Sequence, residues 1–305
     1  TPKTLVAAKL LASVAQSRHP NAAEQVERIL AGGAAVNLPA DKAGFTPLAV
    51  ACRAGDASVA RVLLAHGADA CMATRDNRNP PLFWAAAGGH AETLELLLGA
   101  QADPEQRNSG GDTALLWACR SGSVAAAARL LRGLPALQRA ANDGGMTPLI
   151  CAAAGSHADV LRLLLASEVS RRSVDAADEY GRTALHFAAA SSAACVQALL
   201  EARADCGLRN VDGETALSEA RVAGQEECER LLEQAWERQL AQQEQELGQR
   251  GTAPLNGKAR RRKGPQQPQR RRAEAGAKAE RTEPNARRAA AAAAVVAAAA
   301  DVGDE

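Results

Sequence analysis

The stretch GFTPLAVACRAGDASVARVLLAHGAD, residues 44–69, contains each feature that decides the fold of this chain. Gly44 suits a turn with a positive φ angle, and Thr46 followed by Pro47 is typical of a helix start, with Thr as the cap. A short Ala-rich apolar run follows, and Gly55 is suited to end it in the left-handed conformation. A second apolar run at helical spacing carries a Leu-Leu pair. This pattern predicts two short helices joined by a turn.

Two landmarks of this unit recur along the chain in phase with each other. The Leu-Leu pairs are Leu63-Leu64, Leu97-Leu98, Leu130-Leu131, Leu164-Leu165, Leu199-Leu200 and Leu231-Leu232. Their first members are separated by 34, 33, 34, 35 and 32 residues. Turns of the form Gly-x-Thr-Pro/Ala-Leu begin at Gly44, Gly111, Gly145, Gly181 and Gly213, with a degraded copy at residues 78–82. A fixed period of this size indicates one supersecondary unit copied in tandem, which builds a stack rather than a globule.

The repeated unit resembles the ankyrin repeat over roughly residues 4–235. The resemblance implies an all-α solenoid of about seven helix-turn-helix units with short β-hairpin-like turns. It also implies that the first helices and the turn tips line a concave side, where partners usually dock. In the family, the His that follows Thr-Pro-Leu hydrogen-bonds within and between repeats. Only His186 retains it here, so the resemblance assigns that role to His186 alone.

We expect the ankyrin stack to occupy residues 4–247 and a tail to occupy residues 248–305. The first unit lacks the Thr-Pro-Leu turn and is predicted to be a cap repeat. The last unit has a long second helix with apolar residues at Leu232, Trp236, Leu240 and Leu247, which we expect to shield the open end of the stack.

Three finer expectations concern single positions. Ser156 and Ser192 replace the Gly that ends the first helix, so those turns are expected to be strained. Leu131 is expected to be a core residue that faces both its own first helix and a neighbouring unit. Asp112, at a turn tip, is expected to be solvated and to contribute little to stability.

Composition and motifs argue against catalysis, metal binding and membrane insertion. The seven Cys are scattered without metal-ligand spacing, which is typical of packed thiols in a reducing, intracellular compartment. His90 and His157 stand in matching positions but without an acidic partner at fixed spacing. We find no phosphate loop, nucleophile elbow or paired catalytic carboxylates, and we expect no cofactor. The longest apolar run, residues 289–300, is twelve residues of Ala and Val, too short to span a bilayer.

The tail concentrates positive charge. Residues 251–288 carry twelve Lys or Arg against three Glu, whereas residues 1–250 are net −5. The densest clusters are Lys258, Arg260, Arg261, Arg262, Lys263, Arg270, Arg271 and Arg272. Because this segment has almost no apolar residues, we predict that it is disordered. Three interpretations remain: a nuclear-import sequence, a nucleic-acid-binding segment acting through phosphates, or a solvated linker.

The candidate partner-binding residues lie on the first helices and the turn tips. Trp84 and Trp117 occupy equivalent positions in successive first helices, where they could anchor a partner or pack between neighbouring helices. The remaining candidates are Phe83, Leu116, Lys42, Arg53, Arg78, Asp112, Arg120, Met146, Arg182 and Glu214. Arg53 and Arg120 stand at matching helix ends, where a cation also suits the helix dipole.

The favoured function is a non-enzymatic scaffold or adaptor, a monomeric stack that binds an unidentified protein partner. One alternative is a targeting arm of a larger enzyme, channel or ubiquitin-ligase-type assembly. Another is a nucleic-acid-associated protein that acts through the basic tail. The expected location is the cytoplasm, the nucleus or both.

Overall fold

The computed structural model describes residues 2–17, 19–132 and 135–251, and these residues are predominantly α-helical. The helices are α1 (Pro2–Gln16), α2 (Ala22–Ala31), α3 (Pro47–Ala54), α4 (Ala57–Ala65), α5 (Pro81–Ala87), α6 (Ala91–Gly99), α7 (Ala114–Arg120), α8 (Val124–Leu131), α9 (Pro148–Ala154), α10 (Ala158–Leu165), α11 (Glu168–Arg171), α12 (Ala184–Ala189), α13 (Ala193–Glu201), α14 (Ala216–Val222) and α15 (Glu226–Gly251). A short 3-10 helix spans Pro135–Arg139. Within the described ranges, β pairing is limited to two isolated antiparallel bridges, Ala177 with Thr183 and Arg209 with Thr215.

The chain up to Arg238 forms one compact unit, built from two rows of helices. The first helices of successive repeats, α1, α3, α5, α7, α9, α12 and α14, each pack against the next in that order. The second helices α2, α4, α6, α8, α10 and α13 form a parallel row, and each also packs on the first helix of its own pair. The predicted all-α solenoid of helix-turn-helix units is therefore confirmed. A second unit begins at Gln239, inside α15.

The core runs between the two rows and is supplied mainly by the first Leu of each pair. In the fourth pair Leu165 is buried as well, and in the last pair Leu232 is buried instead of Leu231. Leu63, Leu97, Leu130, Leu164 and Leu199 are at most 2 % exposed. Leu131 is only half-buried, so the expectation that it is a principal core residue is wrong. Adjacent residues of an α-helix point about 100° apart, so only one of the two can face the first helix directly.

Backbone hydrogen bonds link each turn to the next. Ser109 donates to the carbonyl of Asn77 at 2.9 Å, and Asp143 donates to that of Gly110 at 3.1 Å. Gly144 and Tyr180 accept in the same way from Glu179 and Val211. Each repeat therefore adds both core contact and a backbone bond to its neighbour.

In each turn that begins with the Gly-x-Thr pattern, the side-chain oxygen of an Asn or Asp accepts hydrogen bonds from backbone N–H groups of the same turn. The oxygen Oδ1 of Asn142 accepts from the backbone N–H of Gly144 at 3.1 Å and of Met146 at 2.9 Å. The equivalent residues Asp41, Asn108, Asp178 and Asn210 bond in a similar way. This is the Asx-turn geometry, which the sequence analysis missed although the residues recur five positions before the Thr.

Glycine is required in the turns for space as well as for conformation. Gly111 has a φ angle of +74°, and a Cβ there would lie 2.3 Å from Oδ1 and 2.8 Å from the backbone N of Asp143. Any side chain at this position would therefore push apart two bonded repeats.

The predicted helix caps are confirmed in three repeats. The hydroxyls of Thr46, Thr147 and Thr215 accept from the backbone N–H three residues later at 3.2–3.3 Å. Thr113 is an exception, because its buried hydroxyl has no hydrogen-bond partner among the described residues.

Ser156 and Ser192 behave differently from each other. Ser156 has a φ angle of +60° and so adopts the strained left-handed conformation expected of it. Ser192 has a φ angle of −149° and instead caps α13, accepting from the N–H of Cys195. The expectation for Ser192 is wrong because α12 has six residues, one fewer than α5, α7, α9 and α14, so Ser192 comes directly before α13 and takes its capping position.

His186 bonds within its own repeat and to the next one, as the resemblance implied. Its Nδ1 accepts from the backbone N–H of Thr183 at 3.2 Å, so the ring proton lies on Nε2, which donates to the carbonyl of Glu214 at 3.2 Å. Burial lowers the pKa of His186, with the Glu214 carbonyl opposing that shift. A lowered folded-state pKa means that the stabilisation is present at neutral pH and is lost on acidification.

Two features of the C-terminal half differ from the expected unit. The 3-10 helix and α11 pack together, and the buried hydroxyl of Ser170 donates to Oε1 of Gln138 at 3.1 Å. In α15, Leu232 is 1 % exposed but Trp236 and Leu240 are 44 % and 46 % exposed, so the predicted shielding stripe is only partly buried. The helix also continues past the expected boundary at residue 247, to Gly251.

The two members of a Leu pair should contribute very differently to stability. Leu130→Ala removes a side chain that is 2 % exposed, and we expect it to cost about 2–5 kcal/mol. Leu131→Ala removes a half-buried neighbour and should cost about 1 kcal/mol. Urea unfolding followed by circular dichroism measures both, and equal losses would contradict the assignment of the core position.

Candidate functional site

The face of the stack formed by the first helices carries the candidate residues. We define the first-helix face by three positions of each repeat: the residue before the helix-capping position, and the residues four and seven after it. The first set is Phe45, Asn79, Asp112, Met146, Arg182 and Glu214; the second is Val50, Trp84, Trp117, Cys151, Phe187 and Glu219; the third is Arg53, Ala87, Arg120, Ala154, Ala190 and Val222. Of these, Asn79, Asp112, Val50 and Cys151 are buried. Positions four and seven lie on the same side of a helix. In three repeats the preceding turn residue contacts them: Phe45 contacts Arg53, Asp112 contacts Trp117 and Arg120, and Arg182 contacts Phe187.

An aromatic row crosses three successive repeats of this face. The ring centroids of Phe45 and Trp84 are 5.0 Å apart, and those of Trp84 and Trp117 are 5.7 Å apart in an edge-on arrangement. The fully buried ring of Phe83 packs against the row, with its centroid 5.9 Å from that of Trp117. Trp84 and Trp117 are half-buried, so each ring packs on its neighbours and also presents surface to solvent.

Asp112 holds Trp117 in place. Its Oδ2 accepts from the indole Nε1 of Trp117 at 3.1 Å, and its Oδ1 accepts from the side-chain amide of Asn142 in the next repeat at 2.8 Å. Arg120 lies 3.6 Å from the same carboxylate. Asp112 is 7 % exposed, so the expectation of a solvated turn-tip residue is wrong. The residue is buried because its three partners lie on two repeats.

Trp84 lacks the equivalent bond. Its Nε1 is buried and has no hydrogen-bond partner among the described residues. Asn79 stands where the next repeat has Asp112, but its Oδ1 accepts from the amide of Asn108 at 2.9 Å. An unpaired buried donor is unfavourable, so the indole of Trp84 is held by ring packing alone.

Two arginines stack on aromatic rings at the ends of the face. The guanidinium carbon of Arg53 lies 4.9 Å from the centroid of Phe45. That of Arg182 lies 5.0 Å from Tyr180 and 4.5 Å from Phe187, while its NH2 is 2.8 Å from a carboxylate oxygen of Asp178. Both geometries are attractive cation–π contacts.

The remaining sequence-predicted candidates fall into three groups. Phe83 and Leu116 are fully buried, which corrects their inclusion as contact residues, because the third position of each first helix faces the core. Lys42 and Arg78 are exposed at turn tips, and Met146 and Glu214 are half-buried on the face. The basic cluster residues Lys258, Arg260, Arg261, Arg262, Lys263, Arg270, Arg271 and Arg272 lie outside the described residues.

His90 and His157 connect neighbouring repeats. His157 Nε2 lies 3.0 Å from the carbonyl oxygen of Arg120, and His90 Nε2 lies 3.3 Å from that of Arg53. A Cβ at Gly55 would lie 2.4 Å from the ring of His90, so the imidazole fills a space that only glycine leaves open. No group of three or more His, Cys, Asp or Glu within the described ranges is arranged to hold a metal ion.

The buried thiols are not activated. Burial raises the pKa values of Cys52 and Cys119, and it raises the pKa of Cys151 to about 11 against the opposing effect of Arg120. These thiols stay protonated at neutral pH, whereas a nucleophile needs the thiolate. They therefore behave as small core residues.

A cavity of about 390 Å³ lies among the ends of second helices, near Arg162, Arg171 and Arg203. Arg171 Nε donates to the carbonyl of Leu165 at 2.7 Å, which satisfies a helix end. Among the helices that the structure describes, none combines the length and the apolar character that a bilayer crossing requires.

Comparison with known proteins agrees with this architecture. The sequence profile described as ankyrin repeats (3 copies) matches residues 10–108, 66–135, 82–173, 115–210 and 167–240. The ankyrin repeat domain of human ASB11 is similar, with a TM-score of 0.63 and 24 % identity, over 74 % of this chain and 96 % of that one. The ankyrin repeat domain of Bcl-3, described as a unique member of the IkappaB protein family, matches with a TM-score of 0.57 and 27 % identity, over 73 % and 97 % of the chains.

Asp112 should be important for stability despite its place in a turn. Asp112→Ala leaves the indole N–H of Trp117 and the amide of Asn142 without their acceptor, and we expect a loss of about 1–3 kcal/mol. The matched control is Asp143→Ala, an exposed residue of the next turn, which should stay within about 0.5 kcal/mol. Denaturant unfolding decides between them, and similar values would argue against the buried network.

Proposed function

The chain belongs to the ankyrin repeat family, and from this premise we propose that it is a scaffold or adaptor that binds a protein partner through the first-helix face. Ankyrin repeats are generally protein–protein interaction modules, and the fold is typically non-catalytic. The first-helix face corresponds to the concave side of an ankyrin stack. In this function the chain acts as a monomeric stack.

The observation that carries the proposal is the half-exposed aromatic row Phe45, Trp84 and Trp117. Tryptophan is enriched among the interface residues that supply most of the binding energy. Ring packing and the Asp112 bond hold the row in one conformation, so little side-chain entropy would be lost on binding. The face also varies from repeat to repeat in charge and size, which suits recognition of one particular partner.

Replacing the exposed tryptophans should separate binding from folding. In the double variant Trp84→Leu and Trp117→Leu, we expect the helical circular dichroism to persist and capture of protein partners by the immobilised chain to be lost. The control is Arg61→Ala with Glu92→Ala, which removes an exposed ion pair on the second-helix row. Capture is compared per folded molecule, because loss of the Trp117 bond also lowers stability. Undiminished capture by the folded double variant would show that the rings only pack.

We further propose that the basic clusters in residues 251–288 direct the chain to the nucleus. The support is compositional: twelve Lys or Arg stand against three Glu, and short Lys/Arg-rich runs resemble import sequences. Nucleic-acid binding by the same charges is the competing proposal, and it would be strongly salt-dependent.

A reporter fusion tests the tail. Residues 251–288 fused to an inert fluorescent protein should accumulate in the nucleus, and neutralising Arg260, Arg261, Arg262 and Lys263 should reduce that accumulation. Binding of the fusion to RNA or DNA is measured between about 50 and 200 mM salt. A reporter that remains cytoplasmic and binds no nucleic acid at low salt would leave the linker interpretation.

A further inference from the structure

Charge is distributed unevenly along the first-helix face and its turn tips. At the N-terminal end, Lys42, Arg53, Arg75 and Arg78 stand against Asp41 and Asp76, a formal sum of +2. At the C-terminal end, Asp178, Glu179, Asp212, Glu214 and Glu219 stand against Arg182 and Arg209, a formal sum of −3. In the central repeats, Arg107 and Arg120 balance Asp112 and Asp143. The face is therefore dipolar, with the aromatic row nearer its basic end.

Several of these charges are available to a partner. Lys42 and Arg78 are exposed, and neither forms an ion pair with a described residue. The guanidinium of Arg53 stacks on the ring of Phe45 and forms no ion pair with a described residue. At the acidic end, Arg182 is already matched by Asp178, whereas Glu179 and Glu214 form no ion pair with a described residue. The pairing of Arg182 with Asp178 therefore removes one charge of each sign and leaves the acidic end net negative, with Glu179 and Glu214 among its remaining carboxylates.

The length of the face sets the length of chain that it can hold. Five helix-to-helix steps separate Arg53 on α3 from Glu219 on α14. Packed helices lie about 8–10 Å apart, so these steps span about 40–50 Å. An extended chain covers about 3.3–3.6 Å per residue, which corresponds to roughly 12–15 residues. The two ends are several Debye lengths apart at physiological salt, about 8 Å each, so each end would recognise charge independently.

We propose that the first-helix face binds an extended, dipolar segment of a partner protein. Its acidic side chains lie over Lys42 and Arg53, an apolar side chain lies on Trp84 and Trp117, and its basic side chains lie over Glu214 and Glu219. The inference rests on the proposed function and adds the chemistry of the partner. Complementary charges at both ends specify the orientation of the segment and accelerate its association. A polyanion such as RNA fits poorly, because the acidic end repels it.

Synthetic peptides test the arrangement with the full chain. The block peptide has fifteen residues: Glu residues at one end, Leu and Trp at the centre and Arg residues at the other end. The matched control has the same composition with its charges alternating. Fluorescence anisotropy should show tighter binding of the block peptide by roughly 3–30-fold, the size expected for a few exposed ion pairs. The difference should shrink as salt is raised.

Charge reversal then locates each end. The double variant Glu214→Lys with Glu219→Lys should bind the block peptide more weakly than the native chain does. The same variant should regain affinity for a peptide in which the Arg residues of the block peptide are replaced by Glu. The double variant Lys42→Glu with Arg53→Glu should likewise bind the block peptide more weakly, and it should regain affinity when the Glu residues of the peptide are replaced by Arg. Circular dichroism confirms that each variant folds.

Three results would overturn the inference: equal binding of block and alternating peptides, insensitivity to both reversals, or no binding of either peptide at about 1 mM. Displacement of the block peptide by polyuridylate, abolished in the Lys42→Glu with Arg53→Glu variant, would also overturn it, because the polyanion would then occupy the first-helix face and not only the basic tail. If the tryptophan variant still loses its captured partner while both reversals have no effect, the proposed function stands and the dipolar segment does not.

Discussion

No helix pair of the described stack can cover its own apolar face, and the rest of the stack follows from that constraint. The buried Leu of each pair, such as Leu63 or Leu164, lies between its own first helix and the neighbouring repeat. Stability is therefore shared between units and interfaces rather than concentrated in one core. The last repeat of the stack has no neighbour on its outer side. There Trp236 of α15 is 44 % exposed, so this helix covers the open end only in part.

The same stacking explains how the side chains of the first-helix face can differ from one repeat to the next. Backbone bonds between turns, such as Ser109 to Asn77, fix the spacing of repeats without using the side chains at the tips. Those side chains therefore differ between repeats. Asn79 accepts a hydrogen bond from Asn108, whereas the equivalent Asp112 accepts from Trp117 and Asn142 and pairs with Arg120. A uniform scaffold thus presents a varied surface, which is what recognition of a particular partner requires.

The candidate site was predictable in outline but not in detail. The equivalent placement of Trp84 and Trp117 follows from the period alone, and their half-burial agrees with both roles considered for them. The burial of Asp112 does not follow, because its bond to Asn142 joins residues thirty positions apart in different repeats. The burial of Phe83 and Leu116 does not follow either, because their helices have seven residues each, about two turns, and so short an apolar pattern does not show which positions face the core.

The sequence by itself determined the period, the helix starts at the Thr caps and the tandem all-α stack, because these depend on local turn chemistry and on apolar spacing. Tertiary structure alone decided which Leu of a pair is buried, why Ser192 caps a helix instead of adopting a left-handed turn, and how Ser170 meets Gln138. The physical reason is the same in each case. A side chain's environment in a stack is set by the adjacent repeat, about 33 residues away, so contacts between repeats depend on the packed geometry rather than on neighbouring residues.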